Sequence, residues 1–368
     1  MSGRRIEGEK GHDVDVLDRA LNRLERCGPE FNDGFSNHGP MVAEVLVTLG
    51  RPDAVLPWVD GYIQMLEGCP VARTEIGKED FRQALGDFDR FADWVVFFND
   101  ELDHCPWQDL LAEWTPRLAP GVAAGATHGL IQTAHAVRSI ARRETPQRRR
   151  ELARGLAYWA ARYQELPGEF SGKNGDLLPS QAIEHVELLP EERRQPFHLI
   201  VERLADLEGF EPFAHVMDLV DTSGDPSAFI SDLTKTFAYV YLTHAVNHDL
   251  IITFIHTVTA PSALRLVAPY LDRETISTGL RFAWQTCAAL YAGFGFASTQ
   301  ATFDPPDEDV EELVTRSIAT RHVHVIKFTE VCLREHAIAP DPVYLAAAWD
   351  AVERLGGVES GPHVPAVS

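Results

Sequence analysis

The stretch Asn37-His38-Gly39-Pro40-Met41-Val42-Ala43-Glu44-Val45-Leu46-Val47-Thr48-Leu49-Gly50-Arg51 reads as one helix with its own punctuation. Pro40 suits a first-turn position, where its missing N–H would be unpaired anyway. Met41 to Leu49 form an apolar helical face, and Gly50 closes it. The same period recurs outward from there. Val14, Leu17, Leu21 and Leu24 fall at three- and four-residue steps. The run 79–98 places Phe81, Leu85, Phe88, Phe91, Trp94, Val95 and Phe98 at helical steps. Further helical patterns fall near 121–143, 147–163, 191–207, 227–256, 273–296, 308–335 and 341–354, with Pro and Gly mostly between them. No alternating run with hairpin turns interrupts the pattern. The expected fold is all-α: a single large multi-helix domain over residues 1–358, its site between helices, with 359–368 a flexible tail.

Composition narrows the function. The chain has 368 residues and a formal charge of −22, which opposes binding to nucleic-acid phosphates and to anionic membrane surfaces. The apolar stretches around 250–260 and 283–297 carry His256 and Trp284 and read as shorter than the roughly 20 residues that span a bilayer. No apolar run follows the N-terminal arginines, so no secretory signal is read. Cys27, Cys69, Cys105, Cys287 and Cys332 are widely spaced, without a CxxC pair. A cytoplasmic protein with reduced thiols is expected, with neither nucleic acid nor membrane as partner. The arginines 142, 143, 148, 149, 150 and 154 read as a solvated helix junction. There is no P-loop, no GxSxG and no HExxH, and Gly293–Gly295 lacks a third glycine and a preceding strand. What remains is a metal, a cofactor-free reaction, or no chemistry. Fifteen histidines make the first worth following.

Each histidine has a bland local reading. His38 precedes the helix that Pro40 opens, where the helix N-terminus disfavours a protonated imidazole; it is a polar entry residue or a ligand. His128 and His135 lie about 10.5 Å apart along one helix, so at most one serves a given ion. His244 and His248 have the i,i+4 spacing of helical metal sites and are a candidate pair. His256, among apolar neighbours, reads as a satisfied core residue. His324 and Lys327 share a helix face, whereas His322 and His324 point to nearly opposite sides. A buried neutral lysine can ligate a metal or take up carbon dioxide as a carbamate; a surface lysine does neither. Phe31, Phe35, Trp94, Phe97, Phe98, Phe254, Trp284 and Tyr291 are candidates for an aromatic pocket or for ordinary core.

Four segments in order resemble the questin oxidase-like family: Asn37-His38-Gly-Pro-Met-Val-Ala with Leu49-Gly50-Arg51, His128-Gly-Leu-Ile, Phe254-Ile-His256-Thr-Val-Thr-Ala-Pro-Ser-Ala-Leu, and His324-Val-Ile-Lys327. They span about residue 30 to about 335. The resemblance implies a helical oxygenase that uses O2 on a polycyclic aromatic polyketide, anthraquinone-like, in natural-product biosynthesis. Its chemistry would be oxidative C–C cleavage or hydroxylation. The resemblance further implies a non-haem Fe(II) held by His38, His128, His256, His324 and a carboxylated Lys327. Such a nitrogen-rich shell with one carboxylate-like oxygen suits Fe(II) better than Mg or Ca. Met41 and Gln132 stand where fungal members of the family tend to carry further histidines. The alternatives are a metal-independent or NADPH-dependent Baeyer–Villiger-type monooxygenase and a non-catalytic helical polyketide-binding protein. A homodimer is the assembly considered.

Overall fold

The computed structural model describes residues 15–298, 302–303 and 309–356. The expected tail at 359–368 and the position of Val14 lie outside these residues. The all-α expectation holds. The N-terminal part is α1 (Val16–Leu24), α2 (Gly39–Thr48) and α3 (Pro52–Tyr62). The middle is α4 (Phe91–His104), α5 (Trp107–Leu118), α6 (His128–Arg142) and α7 (Pro146–Ala161), followed by the short α8 (Pro179–Ala182) and α9 (Ile200–Ala205). The rest is α10 (Pro226–His244), α11 (His248–Val267), α12 (Arg273–Phe294), α13 (Val310–Ala319), α14 (Val323–Ile338) and α15 (Pro342–Gly356). Side-chain caps start many of them. Asp15, Thr145, Asp225, Asn247 and Asp272 each accept a backbone N–H of the first turn.

The exceptions to the periodicity reading have local causes. A hairpin of two two-residue strands, β1 (Glu30–Phe31) and β2 (Phe35–Ser36), turns through Asn32 and Asp33 in the left-handed region. It is too short to show alternation. The run 79–98 is not one helix: two 3-10 turns, Phe81–Ala84 and Phe88–Arg90, flank a reversal at Gly86 before α4 begins. Pro196 leaves only a 3-10 turn and α9 within 191–207. The patterns at 227–256 and 308–335 each divide into two helices, at 245–247 and at 320–322.

α11 continues through a 3-10 turn to Tyr270, and this span of 23 residues is long and apolar enough to cross a membrane. That corrects the reading of 250–260 as too short. However, 78% of its apolar window is buried against neighbouring helices, so the apolarity has an interior use. Pro261 lies inside this helix and frees the Thr257 carbonyl, which accepts from the Cys287 thiol at 3.3 Å.

Two apolar cores result. The larger joins α4 to α7, α10 to α12, α14 and α15; the smaller joins α1, α2, α3 and Ile326. α2 turns Met41 to the larger core and Val42, Val45 and Leu46 to the smaller one. The arginine cluster is a helix junction and only in part a solvated one, with Arg142 and Arg143 exposed. Arg148 and Arg154 are buried, and Arg148 pairs with Asp15 and Asp18. The aromatic candidates divide as well. Trp94, Phe97 and Phe98 pack with Trp114, Phe31 and Phe35 with each other, Trp284 with Phe237, and Tyr291 with His244.

Candidate metal centre

Four histidines converge where the two cores meet. His38 is the residue before α2, His128 the first of α6, His324 the second of α14, and His256 lies mid-way along α11. His38 Nε2 is 2.8 Å from His128 Nε2, and His256 Nε2 is 3.4 Å from the same atom. The ring of His324 stands 4.6 Å from that of His38 and 5.3 Å from that of His256, centre to centre. One nitrogen from each of His38, His128 and His324 falls within a mutual 4.8 Å. Lys327, one turn beyond His324, is 2% exposed, and its amine meets Met41 Sδ at 3.9 Å. None of the ion pairs among the described residues includes it.

The backbone around these side chains is unusual. Gly125, Ala126 and Thr127 all lie in the left-handed region immediately before His128. Arg321, three residues before His324, does too. Each such non-glycine residue costs on the order of 1–3 kcal/mol, and such strain gathers at functional sites. Here it lets helices begin at their histidines. The His38 backbone N–H is also fixed, donating to the Tyr62 hydroxyl at 2.9 Å.

Hydrogen bonds settle two tautomers. His128 Nδ1 donates to the Gly125 carbonyl and His256 Nδ1 to the Ile252 carbonyl, each at 2.7 Å. A carbonyl only accepts, so both Nδ1 atoms carry the proton. The two Nε2 atoms therefore present lone pairs to each other. His324 Nε2 is buried without a hydrogen-bond partner. Burial pushes all four imidazoles below the usual histidine range, and the Lys327 charge pushes them further. His256 falls to about 3. For His38, burial rather than the helix end is the largest cause, and the Ser36 carbonyl opposes the shift. Burial also lowers Lys327 to about 7. Neutral, convergent imidazoles around a gap between lone pairs are the donor set that a transition metal takes.

All five residues singled out in the sequence are thus brought together. The pair His244 and His248 is not a helical i,i+4 pair, because the chain breaks between α10 and α11 and His248 is exposed. His322 caps α14 instead of lying on it, so its ring stands 5.6 Å from that of His324 instead of pointing away. His135 is not in the cluster; it bonds Glu44 at 2.8 Å. Sequence reasoning missed Glu44 and Glu330, which form a buried ionic layer with Arg138 beneath the cluster. The available signal was a carboxylate inside each of two apolar helix runs.

An all-helical framework with a buried, neutral imidazole cluster at the junction of two cores defines the class of protein. The questin oxidase-like family model matches residues 62–332, most of the chain. The chain belongs to that family and is accordingly an oxidoreductase, of a kind that oxygenates aromatic polyketides. A comparison with curated proteins gave no match. The matched span begins at Tyr62, so His38 lies outside it. Its place beside His128 rests on the geometry alone.

Proposed function

We propose that this chain is a non-haem iron oxygenase of a polycyclic aromatic polyketide, with Fe(II) held by His38, His128, His256, His324 and a carbamate on Lys327. The observation that carries the reading is the pair of Nε2 lone pairs on His128 and His256, 3.4 Å apart, with no proton to place between them. Two facing lone pairs repel, and a cation removes the conflict. The orphaned His324 Nε2 gains a partner in the same way.

The protein's own contribution follows from its hydrogen bonds. The Gly125 and Ile252 carbonyls hold the protons of His128 and His256 on Nδ1 and aim their Nε2 atoms inward. Ligation by His38 Nε2 requires its proton on Nδ1, on the side of the Ser36 carbonyl. No carboxylate belongs to the cluster found among the described residues. A carbamate on Lys327 supplies the anionic oxygen, and the lowered amine basicity favours its formation. When bound, Fe(II) supplies the means to bring dioxygen and an electron-rich phenolate together. Of the five residues only His324 is partly exposed, so the substrate approaches from the start of α14.

The test is oxygen uptake with hydroxylated anthraquinones and their reduced forms, by iron-loaded and by chelator-stripped protein, with and without NADPH. Uptake by the iron-loaded form alone is expected. Equal turnover by stripped protein overturns the iron. Ligand binding without uptake in any form overturns the enzyme.

A further inference from the structure

Beneath the histidines runs a second convergence of the same four helices. Glu44 lies six residues after His38, His135 seven after His128, Ser262 six after His256 and Glu330 six after His324. On each helix that is about 9–10.5 Å further along the axis. All four belong to one buried polar network. Glu44 accepts from His135 Nδ1 at 2.8 Å and from Arg138 Nε at 2.8 Å. Arg138 also donates to Glu330, so a single guanidinium bridges α2 and α14 from α6. Glu330 accepts from Arg334 at 3.0 Å, and Arg334 donates to the Ser262 carbonyl of α11 at 3.1 Å. Arg265 of α11 closes the network on Glu335 at 2.7 Å. Glu44, Glu330, Glu335 and Ser262 are each 3% exposed or less. Three carboxylates face three buried or nearly buried guanidiniums, and Arg142 reaches Glu44 from the surface.

We infer that this ionic layer, with Arg138 as its hub, is the positioning device of the histidine cluster: it fixes the axial register of the four helices that carry His38, His128, His256 and His324. An apolar interface would let these helices slide by fractions of a turn at little cost, because such contacts lack direction. Forked guanidinium–carboxylate bonds have fixed geometry and do not. A nitrogen cluster built from four helices needs such register, since a metal accepts donors only within tenths of an ångström of its preferred distance. The inference rests on the metal reading above. Arg138 and its partners touch neither metal nor substrate and act through the helices.

The test uses the full chain and Co(II) as probe, with three readouts: Co(II) affinity, the visible ligand-field absorption of the bound ion, and the unfolding midpoint of metal-free protein. Arg138→Lys keeps the charge and loses the fork; Glu330→Gln keeps the shape and loses the charge. Both are expected to weaken Co(II) binding by roughly 10–100-fold and to change its absorption. The comparison variant is Arg148→Met, which breaks an equally buried ion pair between α1 and α7. It is expected to lower the midpoint and leave affinity and spectrum alone. Wild-type affinity and spectrum in both Arg138→Lys and Glu330→Gln overturn the inference. So does an equal loss in Arg148→Met, which reports general loosening. If Arg138→Lys does not fold, Glu330→Gln decides by the same criteria, and the reverse holds. If the unaltered chain binds no Co(II), the metal reading itself fails, a result distinct from these.

Discussion

A buried amine that meets a thioether, as Lys327 meets Met41, is poorly placed to carry charge. Burial lowers it to about 7 from 10.5, so the native metal-free chain binds fewer protons there than the unfolded chain across that window. Stability therefore rises with pH between the two values, and the full cost is felt below about 7. Lys327→Met is expected to remove this slope and stabilise the metal-free protein by a few kcal/mol at about pH 6.5, while abolishing any dependence of metal binding on bicarbonate. Urea unfolding of both proteins across pH checks the first part, and a slope unchanged by the substitution contradicts it. Glu151 shows the opposite case. Burial raises its carboxyl to about 7 from 4.5, against Arg154 and the Gln132 amide, which donates to it at 2.7 Å. The penalty is absent below about 4.5 and complete above about 7. Glu151→Gln is expected to be neutral at about pH 4.5 and stabilising by about 3 kcal/mol at about pH 8, read by the same unfolding experiment. A substitution equally stabilising at both values would contradict it. At this scale the sequence was informative in part. His256 looked like a satisfied core residue, and it is one: its Nδ1 is paired in the helix while its Nε2 serves the cluster. Local sequence cannot show that one ring plays both parts. Glu44 within Met-Val-Ala-Glu-Val-Leu-Val could have been flagged as a charge in need of a buried partner, but nothing near it names Arg138.

Helices here begin where histidines are needed, and the chain bends sharply to allow it. Thr127 and Arg321 occupy left-handed conformations that no periodicity forecasts, so the helices expected at 121–143 and 308–335 contained unseen breaks. The hydrophobic period carried element type well, and it failed at turns whose cause is a single residue. α6 meets α7 at very close range. A Cβ on Gly129 would stand 2.7 Å from Trp159 Cα, a backbone atom that cannot step aside. Gly129→Ala is thus expected to push the two helices apart. It should destabilise the chain by about 1–3 kcal/mol despite the gain in helix propensity. It should also displace His128, one residue away, and weaken metal binding. Thermal unfolding with a metal titration reads both; a stabilised variant with unchanged affinity would show that the contact is not as tight as described.

The whole molecule joins a large helical core to a smaller N-terminal one, and the cluster lies on the seam, with His38 at the start of the helix they share and the other three histidines and Lys327 on helices of the larger core. The all-α architecture was legible in the sequence, and so was the grouping of His38, His128, His256, His324 and Lys327, because motif order survives folding. The seam, the ionic layer and the one-sided exposure of His324 were not, since each depends on residues 90 or more apart in sequence meeting in space. The cluster is enclosed: His38, His128, His256 and Lys327 are each 5% exposed or less, and of the five residues only His324 is partly exposed. The account stands or falls on the metal. Anaerobic titration of the metal-free chain with Fe(II) should saturate at one ion per chain. Single replacement of His128, His256, His324 or Lys327 by Ala should weaken that binding at least tenfold, with His244→Ala unchanged. Saturable binding that survives all four replacements, or no binding by the unaltered chain, would contradict it.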